Sequence, residues 1–263
     1  MPATHLLVAQ DEVRRCGADA VVVDLEDGVA PADKLRARDA VQQWSAAGGR
    51  GWVRVNAAPT IDWEADLELV THCPGVVGVV LAKAESADQI RATAERLDPK
   101  VSIVALIESA TGVLESASIA RVPATTRLAF GSGDFRRDTH ALDDSHTAMA
   151  ARSQLVLASS SAGLPAPIDG PALDADILQA YCKRGAALGM AGMLCLHLDH
   201  VPVVNAEFTP SEDEVVRAHD VLADRGEELD GSYLPRRRHA QAVLDRARRF
   251  GVDPLARREQ ATN

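Results

Sequence analysis

The sequence predicts an α/β fold of repeated strand–helix units, for which a (β/α)8 TIM barrel is the simplest complete form. Short apolar runs rich in β-branched residues recur along the chain, separated by stretches of helical spacing rich in Ala, Arg, Glu and Leu. Runs that are apolar throughout are typical of strands buried on both faces, as in a parallel sheet. The length of 263 residues also fits one barrel, which commonly takes about 250 residues.

Seven runs qualify as strands, one fewer than an eight-stranded barrel requires. They span residues 20–23, 52–55, 76–81, 101–107, 127–130, 166–168 and 193–196. Residues 1–10 make a poor strand, and residues 8–15 fit a helix better. We therefore expect a barrel whose first strand is missing or degenerate.

The stretches between these runs predict helices, and several carry helix-start signals. The predicted helices cover residues 32–45, 61–72, 86–97, 111–121, 147–161 and 174–188. Ser86 and Gln89 have the spacing of a capping box, and Pro31 suits a first helical turn. Residues 136–145 are polar and lack periodicity, which indicates a loop at the end of a strand.

The C-terminal tail has a different pattern from the rest of the chain. Residues 211–223 and 236–250 resemble two amphipathic helices joined by a polar connection. We expect residues 1–210 to form the catalytic barrel domain. Residues 211–263 are expected to form a helical extension that packs on the barrel or on a neighbouring subunit.

Composition excludes several classes of protein. The net charge of −10 argues against nucleic acid or an anionic membrane as the main partner. No apolar run approaches the ~18–20 residues that span a bilayer, and the N-terminus lacks the features of a secretory signal. The four cysteines are widely scattered, which favours buried thiols over disulfides. These observations predict a soluble, cytoplasmic protein.

Polar residues follow almost every predicted strand. The carboxyl ends of parallel strands gather the loops that carry function, so these residues are expected around one mouth. They are Asp24, Glu26, Asp27, Arg54, Asn56, Lys83, Glu85, Glu108, Asp134, Asp169 and His197. Turn chemistry explains one or two such residues, whereas a catalytic mouth explains the whole set.

Glu108 and Asp134 are the candidate metal ligands. They follow successive predicted strands, and neighbouring strands lie ~4.8 Å apart, so the two carboxylates can chelate one ion. Hard oxygen ligands without Cys or clustered His favour Mg²⁺ or Mn²⁺. The alternative is a helix cap for Asp134 and a structural salt bridge for Glu108, and spacing alone does not decide between the two.

Arg54 and Lys83 each admit two interpretations. The planar fork of Arg54 suits a substrate carboxylate, and a salt bridge to Glu26 or Asp27 is compatible with that role. A lysine at a strand end can form a Schiff base with a carbonyl substrate if burial lowers its pKa. Glu85 nearby would keep Lys83 charged, so a structural ion pair is the favoured interpretation.

Nine motifs occur in the order found in one known family. They are DLEDGV (24–29), RVN (54–56), LIESATG (106–112), FGSGDF (130–135), ARSQLVLA (151–158), PIDGP (167–171), CLH (195–197), VPVVN (201–205) and FTPS (208–211). On these residues the chain resembles the citrate lyase β-subunit-like group of the HpcH/HpaI aldolase superfamily. The resemblance extends from about residue 2 to residue 251, and the combination is far more specific than any single motif.

The resemblance implies a TIM barrel that assembles as a homo-oligomer, either a trimer or a hexamer. It also implies Mg²⁺-dependent cleavage or formation of a carbon–carbon bond between an α-keto acid, such as oxaloacetate, and an acyl-CoA. Lyases of citryl-CoA, malyl-CoA and citramalyl-CoA are the corresponding activities. In the family the glutamate and aspartate at the positions of Glu108 and Asp134 hold the metal.

The resemblance also assigns the remaining candidate residues. The arginine at the position of Arg54 binds the substrate carboxylate, and the acidic pair at Glu26 and Asp27 lines the same mouth. Glu26, Asp27 and Arg54 are therefore the candidate catalytic residues. The candidate substrate-binding residues are Arg54, Lys83, Gly133 and Asp134.

Three departures from the family pattern bear on function. The opening R-S-x-L-x-V-P strand and its arginine are not found, the C-I-H-P element reads C-L-H-L, and Arg136 and Arg137 follow Asp134. The leading hypothesis is a Mg²⁺-dependent acyl-CoA lyase or its condensing reverse. The alternatives are a CoA-independent aldolase, a thioesterase on a related hydroxy acid, or a non-catalytic accessory barrel.

Overall fold

The computed structural model describes residue 3, residues 15–224 and residues 232–252. These residues divide into two compact units, Met1–Val204 and Asn205–Asn263. The predictions for a degenerate strand over residues 1–10 and a helix over residues 8–15 fall almost entirely outside the described residues. No helix in the described part of the chain is long and apolar enough to cross a bilayer.

The first unit is built on a five-stranded parallel sheet with the order β1-β2-β3-β4-β5. The strands are β1 (Val22–Asp24), β2 (Gly51–Val55), β3 (Val76–Leu81), β4 (Ser102–Ile107) and β5 (Thr125–Phe130). Beyond β5 the sheet continues only through single parallel bridges, from Ala129 to Ile168 and from Asp169 to Met193. The predicted parallel α/β architecture is confirmed, and the last two predicted strands, 166–168 and 193–196, form bridges rather than full strands.

Helices connect the strands of this sheet, as parallel pairing requires. They are α1 (Lys34–Ala46), α2 (Ile61–Thr71), α3 (Ala87–Ala94), α4 (Ala110–Ala120), α5 (Ser132–Thr139), α6 (His146–Ser161), α7 (Ala175–Leu188) and α8 (Val201–Phe208). The predicted capping box at Ser86 and Gln89 is present at the start of α3. The six predicted helices of this unit all occur, with boundary differences of a few residues.

One prediction in this region is wrong, because α5 occupies residues that were expected to form a loop. Phe135 is its buried hydrophobic anchor, packed against Phe130 with ring centroids 5.2 Å apart. Asp134 lies in its first turn and Arg136 and Arg137 in its last turn, which complements the helix dipole. A helix held by one aromatic contact and favourable end charges has no apolar stripe for a periodicity argument to detect.

The core of the sheet consists of branched aliphatic residues from successive strands. One cluster joins Val80, Val104, Leu106 and Ala129, each at most 6% exposed. This packing fixes the strands against each other, so the residues that follow them are held at one edge. The position of the polar mouth is therefore set by the apolar runs that precede it.

The second unit contains the two predicted C-terminal helices, α9 (Glu212–Ala223) and α10 (Tyr233–Arg249). A capping box between Ser211 and Glu214 begins α9. The buried residues of the two helices are Val215, Ala218, Ala240, Val243, Leu244 and Ala247. These residues form a small core between α9 and α10. The surface on which this extension packs stays a prediction.

Candidate active site

Charged side chains from five successive strand ends meet at the carboxyl edge of the sheet. We call this set the mouth cluster: Asp24, Glu26, Asp27, Arg54, Lys83, Glu108, Asp134 and Arg137. Contacts between neighbouring members link the whole set. The mouth cluster joins every candidate catalytic, metal-binding and substrate-binding residue except Gly133. Of the other polar residues predicted at this mouth, Asn56, Glu85, Asp169 and His197 are not among its members.

Asp24 and Arg54 form a bidentate ion pair at the ends of β1 and β2. Nε and Nη2 of Arg54 donate to the two carboxylate oxygens of Asp24 over 2.7 and 2.6 Å. Asp24 also accepts the backbone N–H groups of Glu26 and Gly28. Burial alone would raise the pKa of Asp24, but these hydrogen bonds and the guanidinium charge leave it below its ordinary value. The carboxylate is thus a fixed support for the arginine.

The partner of Arg54 differs in part from the one expected. The sequence predicted a salt bridge to Glu26 or Asp27, whereas the principal partner is Asp24, and Nη1 approaches Glu26 Oε2 at a longer 3.3 Å. Parallel register explains this choice, because Asp24 and Arg54 are paired positions of β1 and β2. That register was readable from the strand ends, and it was the signal that sequence reasoning missed.

Lys83 lies at the centre of the mouth cluster. Its Nζ donates to Glu26 Oε1 and to Asp27 Oδ2, the latter over 3.2 Å, and lies 3.8 Å from Asp134 Oδ2. Burial would lower the pKa of Lys83, but the two acidic partners outweigh it and raise the pKa. Glu26 and Asp27 thus keep Lys83 charged, which was the role predicted for Glu85. Glu85 instead accepts a hydrogen bond from Ser109.

The backbone of Lys83 is also unusual. Its φ of 50° lies in the left-handed region, which an L residue other than glycine rarely adopts. In this conformation its N–H donates to Glu108 Oε1 over 2.7 Å. One residue therefore holds Glu108 with its main chain and Glu26 with its side chain. Backbone strain of this kind concentrates at functional sites.

Glu108 is the buried carboxylate of the site, with 4% of its surface exposed. Burial raises its pKa to about 7, the charge of Glu26 adds to this, and the Lys83 N–H and the nearby cations oppose it. Gly131 makes room for this side chain, because a Cβ at that position would lie 2.4 Å from both Cβ and Oε2 of Glu108. Gly133, by contrast, faces open space, and its predicted contact with substrate stays a prediction.

Asp134 lies in the first turn of α5 and is partly exposed. Its Oδ1 pairs with Nη2 of Arg137, one helical turn further on, and the same nitrogen is 3.6 Å from Asp27 Oδ2. Arg137 therefore bridges two carboxylates that come from opposite ends of the sheet. The sequence had noted Arg137 only as a departure from the family pattern.

Lys34 and Asn56 hold the backbone of the acidic loop at residues 25–26 by hydrogen bonds. Lys34 Nζ donates to the carbonyl oxygens of Leu25 and Glu26 and to the Asn56 side chain, over 2.6 to 2.8 Å. Asn56 in turn donates to Asp66 and to the Leu25 carbonyl. Asn56 was among the polar strand ends, but no sequence signal distinguished Lys34 from other helical lysines.

A second charged group lies at the same edge, further along the sheet. We call it the buried arginine cluster: Arg152, Asp143, Asp169 and Tyr181. Arg152 is fully buried, and its Nε contacts both oxygens of Asp169 at 2.8 and 3.0 Å. Its Nη2 reaches Asp143 and the Tyr181 hydroxyl, and its guanidinium lies 4.8 Å from the centre of the Phe130 ring.

The mouth cluster has the composition of a site for a hard divalent cation and an anion. It contains five carboxylates and three basic groups, so negative charge is in excess. No group of three or more His, Cys, Asp or Glu residues arranged to hold a metal occurs in the described part of the chain. Glu108 and Asp134 thus offer two oxygen donors that fit such a cation, with water or substrate completing its coordination.

Fold and site together define a parallel α/β protein of the aldolase type, with carboxylates and an arginine at the strand ends. The chain belongs to the HpcH/HpaI aldolase/citrate lyase family, whose sequence profile matches residues 4–198. The profile of the HpcH/HpaI aldolase C-terminal domain matches residues 213–251. The resemblance read from the motifs is confirmed.

Individual relatives agree with this assignment. The chain is 34% identical to a citrate lyase subunit beta-like protein of Mycobacterium tuberculosis, over 88% of each chain. It is 29% identical to a (3S)-malyl-CoA thioesterase of Cereibacter sphaeroides, over 89% of this chain and 82% of that protein. The crystal structure of CitE from Mycobacterium tuberculosis with magnesium, acetoacetate and coenzyme A superposes with a TM-score of 0.78, at 30% identity, over 94% of this chain and 96% of that one.

Proposed function

We propose that the protein is a Mg²⁺-dependent carbon–carbon lyase that cleaves, or forms, a 2-hydroxy acid acyl-CoA thioester, with an α-keto acid and an acyl-CoA as the other partners. The observation that carries the proposal is that Glu108 and Asp134 both lie close to Lys83, whose partner Glu26 also pairs with Arg54. This arrangement places an anion-binding group beside two hard oxygen donors. The family and the magnesium and coenzyme A bound in the CitE structure support it.

Glu108 and Asp134 are the residues that would hold the metal. When bound, Mg²⁺ supplies Lewis-acid stabilisation of negative charge on the substrate oxygens. Glu108 is buried and held by the Lys83 N–H, so its carboxylate is already oriented. Asp134 is more exposed and is paired with Arg137 and Lys83, so it must exchange these partners for the ion.

Arg54 is suited to bind the carboxylate of the keto acid. A guanidinium has five N–H donors, and the side-on edge formed by Nε and Nη2 is used by Asp24. On the Nη1–Nη2 edge, Nη1 has an ion contact with Glu26 Oε2 at 3.3 Å, and the remaining N–H groups are donors for a substrate carboxylate. Asp24 therefore fixes the orientation of the guanidinium in advance, which reduces the entropy lost on binding.

Asp27 is the proposed general base. Glu26 is almost fully buried and accepts hydrogen bonds or ion contacts from Lys83, Arg54 and its neighbour's N–H. Asp27 is about half exposed, and its ion contacts with Lys83 and Arg137 both involve Oδ2. Burial acts to raise the pKa of Asp27, but its contacts with Lys83 outweigh burial and leave the pKa below its ordinary value. The carboxylate is therefore ionised and able to accept a proton.

Lys83 acts in this proposal as a cation that organises the carboxylates rather than as a nucleophile. A Schiff base requires the neutral amine, and the contacts with Glu26 and Asp27 stabilise the ammonium form. Borohydride treatment in the presence of pyruvate is therefore expected to leave no covalent adduct. A trapped adduct on Lys83 would replace the metal mechanism with an imine mechanism.

A thioesterase is the second candidate, because a (3S)-malyl-CoA thioesterase aligns over most of the chain. The two reactions differ in their products. A lyase releases a keto acid and an acyl-CoA, whereas a thioesterase releases free CoA and an intact hydroxy acid. The same mouth cluster serves either reaction, so the distinction rests on product analysis.

The deciding experiment is a panel of citryl-, malyl- and citramalyl-CoA, assayed for keto acid and for free CoA with Mg²⁺ or with EDTA. We expect keto acid from at least one thioester and its loss with EDTA. Glu108→Gln is expected to lower the rate by more than ~100-fold, since it removes an anionic metal donor. Glu115→Gln, at an exposed site on α4, is the matched control. Free CoA without keto acid would favour the thioesterase. The absence of both products would contradict the proposal.

The assembly is part of the same proposal. We infer that the protein is a homo-oligomer, either a trimer or a hexamer, as the resemblance implies. Light scattering coupled to size-exclusion chromatography measures the mass directly, and 28.0 kDa is the mass of one chain. A monomeric mass at the assay concentration would contradict this part of the proposal without affecting the reaction.

A further inference from the structure

Arg137 is an exposed member of the mouth cluster to which the proposed reaction assigns no task. It lies in the last turn of α5, and 72% of its side chain is exposed. Its guanidinium contacts the carboxylates of Asp134 and Asp27. An exposed cation that reaches two carboxylates from opposite ends of the sheet is placed to meet whatever enters the mouth.

The two carboxylates do not depend on Arg137 for a counter-charge. Lys83 Nζ lies 3.2 Å from Asp27 Oδ2 and 3.8 Å from Asp134 Oδ2. Exposed ion pairs are weak, because water screens them and long side chains lose entropy in forming them. Arg137 can therefore exchange these carboxylates for another anion with little loss of stability.

Arg54 and Arg137 approach the site from two different sides. Arg54 belongs to β2, and Arg137 belongs to the helix that follows β5. In the sheet, β3 and β4 lie between these two strands, and Lys83 and Glu108 follow them. A ligand held by Arg54 beside Glu108 therefore has a second guanidinium on its far side.

The two arginines also differ in their freedom. The side-on edge of Arg54 is fixed by a bidentate contact with Asp24, and the residue is largely buried. Arg137 has only its exposed contacts with Asp27 and Asp134 among those described. Arg54 is thus a preformed anion site, whereas Arg137 is an adjustable one.

We propose that Arg137 is a specificity-determining residue that binds the second carboxylate of a dicarboxylic keto acid. It rests on Asp27 and Asp134 in the free protein and leaves them when that ligand enters. Its planar fork matches a carboxylate with two parallel hydrogen bonds. This inference rests on the proposed function and narrows its substrate class to keto acids with an acidic group at each end.

Binding calorimetry on the full chain tests this inference without relying on turnover. The ligands are oxaloacetate, with two carboxylates, and pyruvate, with one, each titrated at a constant concentration of free Mg²⁺. Wild type is compared with Arg137→Gln and Arg137→Lys. The control is Arg91→Gln, which removes an exposed arginine that pairs with an aspartate at the same helical spacing and is not a member of the mouth cluster.

We expect Arg137→Gln to weaken oxaloacetate binding by about tenfold, as loss of a charge-assisted bidentate contact implies. Pyruvate binding is expected to change by less than about twofold, since it lacks the second carboxylate. Arg137→Lys keeps the positive charge but loses the planar guanidinium. Its affinity for oxaloacetate is expected to lie between those of wild type and Arg137→Gln. Titration with Mg²⁺ alone is expected to show about two- to fivefold tighter binding in Arg137→Gln, because Asp134 loses a competing cation.

The outcomes separate this inference from the proposed function. If wild type binds both keto acids and Arg137→Gln weakens them equally, or weakens neither, Arg137 does not set specificity. An unchanged Mg²⁺ affinity would show that Arg137 does not compete for Asp134 and would overturn the exchange. If wild type with Mg²⁺ binds neither keto acid, the proposed function fails, and this inference fails with it.

Discussion

The mouth cluster and the buried arginine cluster use the same chemical groups at the same edge of one sheet. Each contains an arginine paired with an aspartate: Nε and Nη2 of Arg54 bind the two oxygens of Asp24, and Nε of Arg152 contacts both oxygens of Asp169. The two clusters differ in how exposed their basic side chains are to solvent. Lys83 and Arg137 in the mouth cluster are 39% and 72% exposed, whereas Arg152 is fully buried.

The donors of the two arginines show the same difference. Nε, Nη1 and Nη2 of Arg152 all have partners within the protein, including the Ala148 carbonyl and the Tyr181 hydroxyl. Arg54 has only a 3.3 Å ion contact with Glu26 at Nη1, so part of its Nη1–Nη2 edge is left for a ligand. The arginine that is satisfied internally holds structure together, and the one left with donors can bind. Residue type and position at a strand end do not make this distinction, but the count of partners does.

The aspartates respond differently to their arginines. Hydrogen bonds and the guanidinium outweigh burial at Asp24, and its pKa lies below the ordinary value. At Asp169, which is 1% exposed, burial outweighs Arg152 and raises the pKa. Two backbone N–H donors at Asp24, against one at Asp169, thus help Asp24 to hold its charge at lower energetic cost. A site that exchanges ligands needs charges that remain tolerable when one partner leaves.

The largest expected effect is on stability, from Arg152→Met. This change leaves Asp169 buried without its cation, and removing one partner of a buried pair destabilises by about 3–5 kcal/mol. The free energy of unfolding, from urea titration of wild type and variant, measures the effect. The exposed control Arg91→Met is expected to change it by less than about 1 kcal/mol.

A second variant makes this prediction sharper. Adding Asp169→Asn to Arg152→Met removes the stranded charge and keeps the oxygen that accepts the Gly170 N–H. We expect the double variant to be more stable than Arg152→Met alone. A double variant that is less stable than the single one would show that Arg152 supports the fold by packing on Phe130 and Tyr181 rather than by charge.

An intermediate effect is expected from Gly131→Ala, with Gly133→Ala as its matched partner two residues away. The new Cβ at Gly131 would overlap Glu108, so that side chain must move, which costs about 1–3 kcal/mol. It also displaces a proposed metal donor, so Mg²⁺ affinity should fall. At Gly133 nothing lies within 4 Å, and alanine in a helix is favoured over glycine by up to ~1 kcal/mol.

Calorimetric Mg²⁺ titration and thermal unfolding of both variants check this pair. The expected result is weaker binding and a lower Tm for Gly131→Ala, with neither change for Gly133→Ala. Equal losses in both would mean that the turn before α5 needs glycine for its backbone. Unchanged Mg²⁺ affinity in a destabilised Gly131→Ala would argue against Glu108 as a donor.

The sequence predicted the parallel sheet well because its signal is local. Each apolar run identifies a strand, and the residue after it is placed at the carboxyl edge by topology alone. This local signal was sufficient to predict that Arg54, Lys83, Glu108 and Asp134 lie at one edge of the sheet. The family motifs then suggested the roles proposed for these residues, which composition and spacing had left open.

The contacts within the site were harder to predict, because they depend on register and on side-chain direction. Arg54 pairs with Asp24 since the two positions align across β1 and β2. Lys34 reaches the acidic loop from the start of α1, and a long side chain leaves no periodic signal of its target. The helix α5 was missed for a similar reason, since one buried aromatic residue fixes it.

The smallest expected effect is the pH dependence that Asp24 contributes. Because its pKa in the folded protein is below its ordinary value of 3.8, the unfolded chain binds this proton more readily. The stabilisation is therefore complete above that ordinary value and is lost as pH falls through the folded pKa. Asp24→Asn removes it, so the difference in Tm between wild type and variant should be largest at pH 7 and should shrink towards pH 3.

Thermal unfolding at pH 7, 5, 4 and 3, at constant ionic strength, measures this difference. Asp33→Asn is the control, because it removes an exposed carboxylate whose salt-bridge partner, Arg36, is also exposed, and little change is expected at any pH. A Tm difference for Asp24→Asn that is constant with pH would mean that the aspartate acts by hydrogen-bond geometry alone. A difference that narrows would show that the charge of Asp24 contributes to stability, as its ion pair with Arg54 predicts.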